Sequence, residues 1–145
     1  MLFVTVAEAV QHAFQAIGQA MNTFGLIHTD LIWKNYFFHD QGVGAVDFEG
    51  CAWGYYLYDL APTLLGYRDE PAYPALRDAL IAGYRTIQLF PTSHERHLNI
   101  LIAARHVVSC CWLADHLDHP DLWKRAADIV QHRTTAIRSL LEDTG

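Results

Sequence analysis

His28-Thr29-Asp30-Leu31-Ile32-Trp33-Lys34-Asn35, HTDLIWKN in one-letter code, decides how the rest of the chain is read. An imidazole, a carboxylate two residues on and a carboxamide five further along occupy one short segment between an amphipathic stretch and an aromatic run. Standing alone, H-x-D is ordinarily a turn closed by an Asx hydrogen bond. Polar groups gathered on a loop that rigid elements hold in place point instead to chemistry, so the meaning of this loop depends on what flanks it.

Upstream, Val6, Val10, Phe14, Ile17 and Met21 recur at helical spacing while Glu8, Gln11, Gln15 and Gln19 fall on other faces, which predicts an amphipathic helix ending near Gly25. Downstream, Tyr36, Phe37 and Phe38 are followed by His39, Asp40, Gln41 and Gly42, and Val43 to Phe48 resume an apolar run. Two such runs across a turn predict a β-hairpin. Antiparallel pairing brings Asn35 and Asp47 to the same end of that hairpin, beside the loop carrying Asp30. Glu49, in VDFEG, follows two residues later.

Past Asp59 the periodicity becomes helical and stays so. Leu60, Leu64 and Leu65 form a short piece. Tyr73, Leu76, Leu80, Tyr84 and Ile87 form a second, set off by Pro71 and Pro74. Thr92 with Glu95 predicts a capping box opening a long helix through Leu98, Leu101, Val108 and Trp112. After Asp118, Pro120 and Asp121, a last helix carries Leu122, Ala126, Ile129, Ile137 and Leu140. The expected fold is α+β and mainly helical, one domain over residues 1–145, with no internal repeat, low-complexity tract or linker.

Composition narrows the function. Sixteen acidic residues against ten Lys and Arg give a net charge of −6 without any basic cluster, which argues against a nucleic-acid partner. Only 18% of residues are charged, below the roughly 25% of typical soluble domains, so some apolar surface is expected to meet a partner. The first residues lack the basic region of a secretory signal. The apolar stretch from Ile100 to Ala114 is broken by Arg105 and His106 and falls short of the ~20 residues of a membrane span, so none is expected. Three cysteines, Cys51, Cys110 and Cys111, lack metal-type spacing and suit a reducing, cytoplasmic setting. The pairs His94 with His97 and His116 with His119 sit three apart on helices, but neither has a third ligand nearby, and helix-end histidines are the simpler reading. The adjacent Cys110 and Cys111 read as core residues, and the four scattered tryptophans as packing in the core or at a lobe interface.

What remains is a pair of aspartates and an asparagine. Hard oxygen ligands without thiolates suit Mg²⁺, which takes one or two protein carboxylates and leaves its other positions to water and phosphates. An aspartate not spent on metal can accept a proton from an attacking hydroxyl. Together they make the catalytic half of a phosphoryl-transfer site.

At this point HTDLIWKN, AVDFEG and LYDLA, in that order, resemble the C-terminal lobe of the aminoglycoside phosphotransferase and choline kinase group, which has a protein-kinase-like fold. That group writes its catalytic loop H-G-D-x-x-x-x-N, follows it with I-D-F/W-x-D/E and closes with a Y-D-L-A segment. The resemblance implies that Asp30 is the catalytic base, that Asn35 and Asp47 bind the Mg²⁺ bridging the ATP phosphates, and that Glu49 assists a second metal. It implies that His28 and Asp59 are structural supports. Lys34, beside Asn35, is a candidate contact to phosphate.

Thr29 stands where the group writes glycine, and Ile32 where many members have a second histidine. No lysine or arginine occurs in the first 33 residues, and no G-x-G-x-x-G cluster occurs anywhere. The resemblance therefore implies the C-terminal lobe only, without the N-terminal lobe that grips the nucleotide. Three functions follow. The first is an ATP- and Mg²⁺-dependent small-molecule kinase acting on a hydroxyl of an aminoglycoside-like or other small acceptor. The second is a non-catalytic lobe that assembles with a partner or a second copy through the exposed lobe face. The third is a Mg²⁺-dependent phosphohydrolase using the same oxygens.

Overall fold

The computed structural model describes residues 1–143. Six α-helices and four short strands follow one another as α1 (Leu2–Ile17), β1 (Phe24–Ile27), β2 (Tyr36–His39), β3 (Gly42–Ala45), β4 (Ala52–Tyr55), α2 (Leu60–Leu65), α3 (Tyr73–Ile87), α4 (Thr92–Glu95), α5 (Leu98–Asp115) and α6 (Pro120–Glu142). The mainly helical α+β expectation holds, and the hairpin falls where the aromatic run placed it. β2 pairs antiparallel with β3, with Tyr36 opposite Ala45 and His39 opposite Gly42.

Helix α5 is the axis of the molecule. Leu98, Leu101, Ile102 and Ala103 are fully sealed, packed with Val6, Ala13 and Ile17 of α1, Leu60, Ala61 and Leu64 of α2, and Ile137 and Leu140 of α6. Each such Leu or Ile contributes about 1.5–3 kcal/mol by leaving water. Thr92–Asp115, taken together, is long and apolar enough to cross a membrane by length and composition, at a mean hydropathy of 1.3. That is longer than the Ile100 to Ala114 stretch read from sequence, because α4 extends it. Leu98, Ile100, Leu101, Ile102 and Ala103 of this stretch are buried in the core, whereas Val108 and Trp112 are exposed.

Several expectations change. Helix α1 ends at Ile17, not near Gly25: Gly18 adopts φ 72°, and Thr23 folds the chain back, its hydroxyl donating to the Gly18 carbonyl at 2.7 Å and accepting from the Ala20 N–H at 2.9 Å. Met21, the last apolar position of the expected helix, is therefore exposed. Phe24–Ile27 becomes a strand, paired antiparallel with β4 so that Gly25 lies opposite Gly54. Gly25 is required by close approach, since a Cβ there would collide with the Tyr56 hydroxyl.

The capping box does not form. Thr92 makes no capping bond, and Glu95 is taken by Arg77 at 3.0 Å and Arg85 at 2.8 Å, which holds its carboxyl below the usual range despite partial desolvation. The helix is broken at Arg96–His97, leaving α4 a single turn. Of the adjacent cysteines only Cys110 is buried, and Cys111 is exposed. All four tryptophans are more than half exposed, so none is a core residue.

Candidate active site

Chain geometry first fixes the loop. The Asp59 carboxylate, just ahead of α2, accepts the backbone N–H groups of His28 and Thr29, both at 2.7 Å. Two charge-assisted bonds to adjacent amides pin the loop entrance to the helical body. Thr29 then takes φ 71°, the left-handed conformation that a side chain adopts only at a cost. This explains the glycine that the family writes here. Thr29 is held there by its own hydroxyl, which donates to the Gly50 carbonyl at 2.8 Å.

His28 is buried, and its ring spans two segments, with Nε2 2.9 Å from the Val46 carbonyl and Nδ1 accepting the Asp30 N–H at 3.3 Å. The loop is further tied to α2. The Thr63 hydroxyl donates its one proton to the Leu31 carbonyl at 2.7 Å, so the Tyr36 hydroxyl, 2.6 Å away, donates to Thr63. Burial pushes the Tyr36 phenol up from its ordinary value.

Asn35 is also buried, and its amide Nδ2 donates to the Asp30 carbonyl at 2.8 Å and to the Asp30 carboxylate at 3.4 Å. That use of Nδ2 leaves the carboxamide oxygen as the outward acceptor. The Val46 N–H bonds the Asn35 carbonyl at 2.9 Å, which sets Asp47 next to Asn35 at the hairpin's open end. Asp47 itself takes φ 68°, a second left-handed residue, and its carboxylate has no hydrogen-bond or ion-pair partner among the described residues. One amide oxygen and one free carboxylate fit a hard divalent ion that carries mostly water and phosphate oxygens. They do not make a dedicated protein cage: among the described residues no group of three or more His, Cys, Asp or Glu gathers to hold a metal, which also leaves the two histidine pairs without a centre.

Asp30 and Asp47 open onto a cleft of about 610 Å³, lined on the loop side by Asp30, Lys34, Asp47 and Gly50, whereas buried Asn35 does not line it. Its opposite wall is one face of α5, Arg105, Val108, Ser109 and Trp112, together with Leu122, Ile129 and Arg133 of α6. Glu49 is exposed and does not line the cleft. His28 and Asp59 lie behind it, holding the loop.

Arg105 is the residue that sequence reading missed. It forms an ion pair with the Asp30 carboxylate, across 75 residues of chain. Its only signal in the sequence is a lone arginine in an otherwise apolar helix, which marks a break in hydropathy but names no partner on the loop.

The sequence profile of the APH phosphotransferase enzyme family matches residues 2–97, two thirds of the chain and all three motifs. This chain belongs to that family. No curated protein sequence matches it. Among solved structures, a microcompartment-associated aminopropanol kinase shares the fold with a TM-score of 0.80 at 22% identity, over 99% of this chain and 46% of that one. An amicoumacin kinase, solved with AMP-PNP, Ca²⁺ and its ligand, matches with a TM-score of 0.70 at 17% identity, over 92% of this chain and 45% of that one. The phosphotransferase-family chain thus has a small-molecule-kinase fold and spans slightly under half the length of these neighbours.

Proposed function

We propose that the cleft is the catalytic half of an ATP- and Mg²⁺-dependent phosphotransferase that acts on the hydroxyl of a small molecule. The single observation that carries this is the geometry around Asp30: a carboxylate held by buried Asn35 and paired with Arg105, lining one cleft together with an unpartnered Asp47. Asn35 and Asp47 would hold the metal, which neutralises charge on the transferred group when bound. Asp30 orients the acceptor hydroxyl and takes its proton. Lys34, exposed at the cleft edge, offers a point charge to phosphate. His28 and Asp59 keep the loop in register, and Glu49, on the exposed turn beyond Asp47, is left to a second metal.

The neighbours' extra length suggests where the rest of a nucleotide site belongs. Leu26, Phe37, Phe38, Val43, Phe48 and Trp53 are all more than half exposed on the two small sheets and the turn between them. This apolar surface favours a second reading, a lobe that assembles with a further lobe, a partner or a second copy before it acts, or that has kept only an interaction role. The cytoplasm, where ATP and Mg²⁺ are plentiful, is the setting that suits the first reading.

Calorimetric titration of the chain with ATP, with and without Mg²⁺, separates the two. Magnesium-dependent binding that is lost in Asp47→Ala is expected, together with phosphoryl transfer that falls about 10²–10⁴-fold in Asp30→Asn. No binding at millimolar nucleotide would overturn the catalytic reading for this chain and leave the assembly reading.

A further inference from the structure

If the cleft is the acceptor site of a phosphotransferase, its charges specify the acceptor more narrowly than the fold does. Arg105 and Arg133 approach it from α5 and α6, and the walls beyond them are Val108, Trp112, Leu113, Leu122 and Ile129. Arg105 is spent on Asp30. Arg133 has no carboxylate partner among the described residues. Its Nη1 meets only the Nδ1 of buried His106 at 3.3 Å, and its Nε is buried without any hydrogen bond. An unpaired guanidinium in a half-buried position is costly unless something anionic completes it.

Arg133 also borders a second cavity of about 490 Å³, where Asp69 lies 3.6 Å from His132 and Arg68 is paired with Asp143 at 3.0 Å. Of the two cavities only the cleft is lined by both Arg105 and Arg133. Burial lowers the Arg133 pKa, Cys110 opposes this, and the nearby Arg105 charge lowers it further.

We propose that the acceptor is a hydroxy acid with a short apolar tail, its carboxylate seated between Arg105 and Arg133 and its tail against Trp112 and Leu122. Such an acceptor exchanges partners with the resting site. Its carboxylate takes Arg105, and the released Asp30 carboxylate turns to the acceptor hydroxyl. A cationic amino alcohol does the reverse, competing for Asp30 and leaving two guanidiniums uncompensated. A hydroxy acid acceptor sets this chain apart from its aminopropanol kinase neighbour, whose name points to an amino alcohol.

The test is a matched trio on one carbon skeleton: 2-hydroxy-4-methylpentanoate, its amino alcohol leucinol and the neutral 4-methylpentane-1,2-diol, each titrated into the full chain by calorimetry without nucleotide. The hydroxy acid is expected to bind at least roughly tenfold more tightly than either, as one charge-assisted pair is worth. Arg133→Gln should lose that margin and Arg133→Lys should restore part of it, with circular dichroism showing that both fold. Equal or tighter binding of leucinol, or no binding of the acid at millimolar concentration, overturns the proposal. So does an Arg133→Gln variant in which Mg²⁺–ATP affinity, measured in parallel, falls instead, because the guanidinium would then serve the nucleotide phosphates. A hydroxy acid that binds as expected to a chain that never binds Mg²⁺–ATP leaves the anion site standing and sinks the phosphotransferase reading alone.

Discussion

The two walls of the cleft are built on opposite plans. On the loop side, from His28 to Gly50, the polar side chains that tie the backbone together are answered, whereas the Asp47 carboxylate has no partner among the described residues. Asp59 takes two amides, His28 bridges to Val46 and Asp30, Asn35 donates twice, and Thr29 clasps Gly50. On the helical side, Arg133 meets only His106, which does not itself line the cleft, and the two then run out of partners, leaving His106 Nε2 and Arg133 Nε buried and unsatisfied. A satisfied network has one low-energy geometry and fixes reacting groups, whereas unspent polar capacity is where a bound molecule gains most. The difference teaches that positioning resides in the loop and selection in the helices.

The sharpest way to break this comparison is to remove Asp59. Asp59→Ala strips the acceptor from two adjacent amides and releases Thr29 from its left-handed conformation. It is expected to cost about 2–4 kcal/mol in urea unfolding and to abolish any transfer through a disordered Asp30. Arg133→Gln should cost far less stability, since it removes a group that is already under-satisfied. A reversal of that order would mean that the helical wall, not the loop, holds the site together.

Next in size is a pH effect confined to the helical wall. Burial, with the Arg133 charge second, pushes the His106 pKa down to about 4 from an ordinary 6.5. The folded imidazole stays neutral where the unfolded one binds a proton. Stability is therefore full above about pH 6.5 and falls as pH drops toward 4, by up to about 3 kcal/mol. Chemical denaturation at pH 7.5 and 5 should show this slope in the native chain and a flatter one in His106→Gln. Parallel slopes would mean that His106 is protonated in the fold and that its unpartnered Nε2 finds a hydrogen bond on opening.

The same division governs what could be read from the sequence. The loop residues lie within 22 positions of one another, His28 to Gly50, and their proximity follows from spacing across a single hairpin, so the placing of Asp30, Asn35 and Asp47 in one neighbourhood was legible without coordinates. Arg105, Trp112 and Arg133 come from helices joined to the loop only through tertiary packing, and helical periodicity says which face is apolar but not which distant loop it meets. The β1–β4 pair was missed for a related reason. Leu26 and Trp53 are solvent-facing apolar residues in strands of four, so neither strand shows the alternation that marks a half-buried sheet. Thr92–Glu95 had the letters of a capping box, yet Arg77 and Arg85 outcompeted the backbone for Glu95.

The smallest expected effect tests how finely the loop is balanced. Thr29→Gly relieves a left-handed β-branched residue, a gain of about 1–2 kcal/mol. It also loses the 2.8 Å hydroxyl bond to Gly50, worth about 0.5–1.5 kcal/mol, and loosens the unfolded chain by about 0.4–1 kcal/mol. These terms nearly cancel, so the thermal midpoint should move by only a few degrees in either direction. Because Gly50 lines the cleft while Asp59 still pins the Thr29 amide, the change should surface as weaker acceptor binding rather than as slower transfer from bound acceptor. A large loss of stability would show that the hydroxyl clasp, not the Asp59 anchor, closes the loop. A clear gain would show that threonine is kept at a cost in stability to hold Gly50 where the cleft needs it.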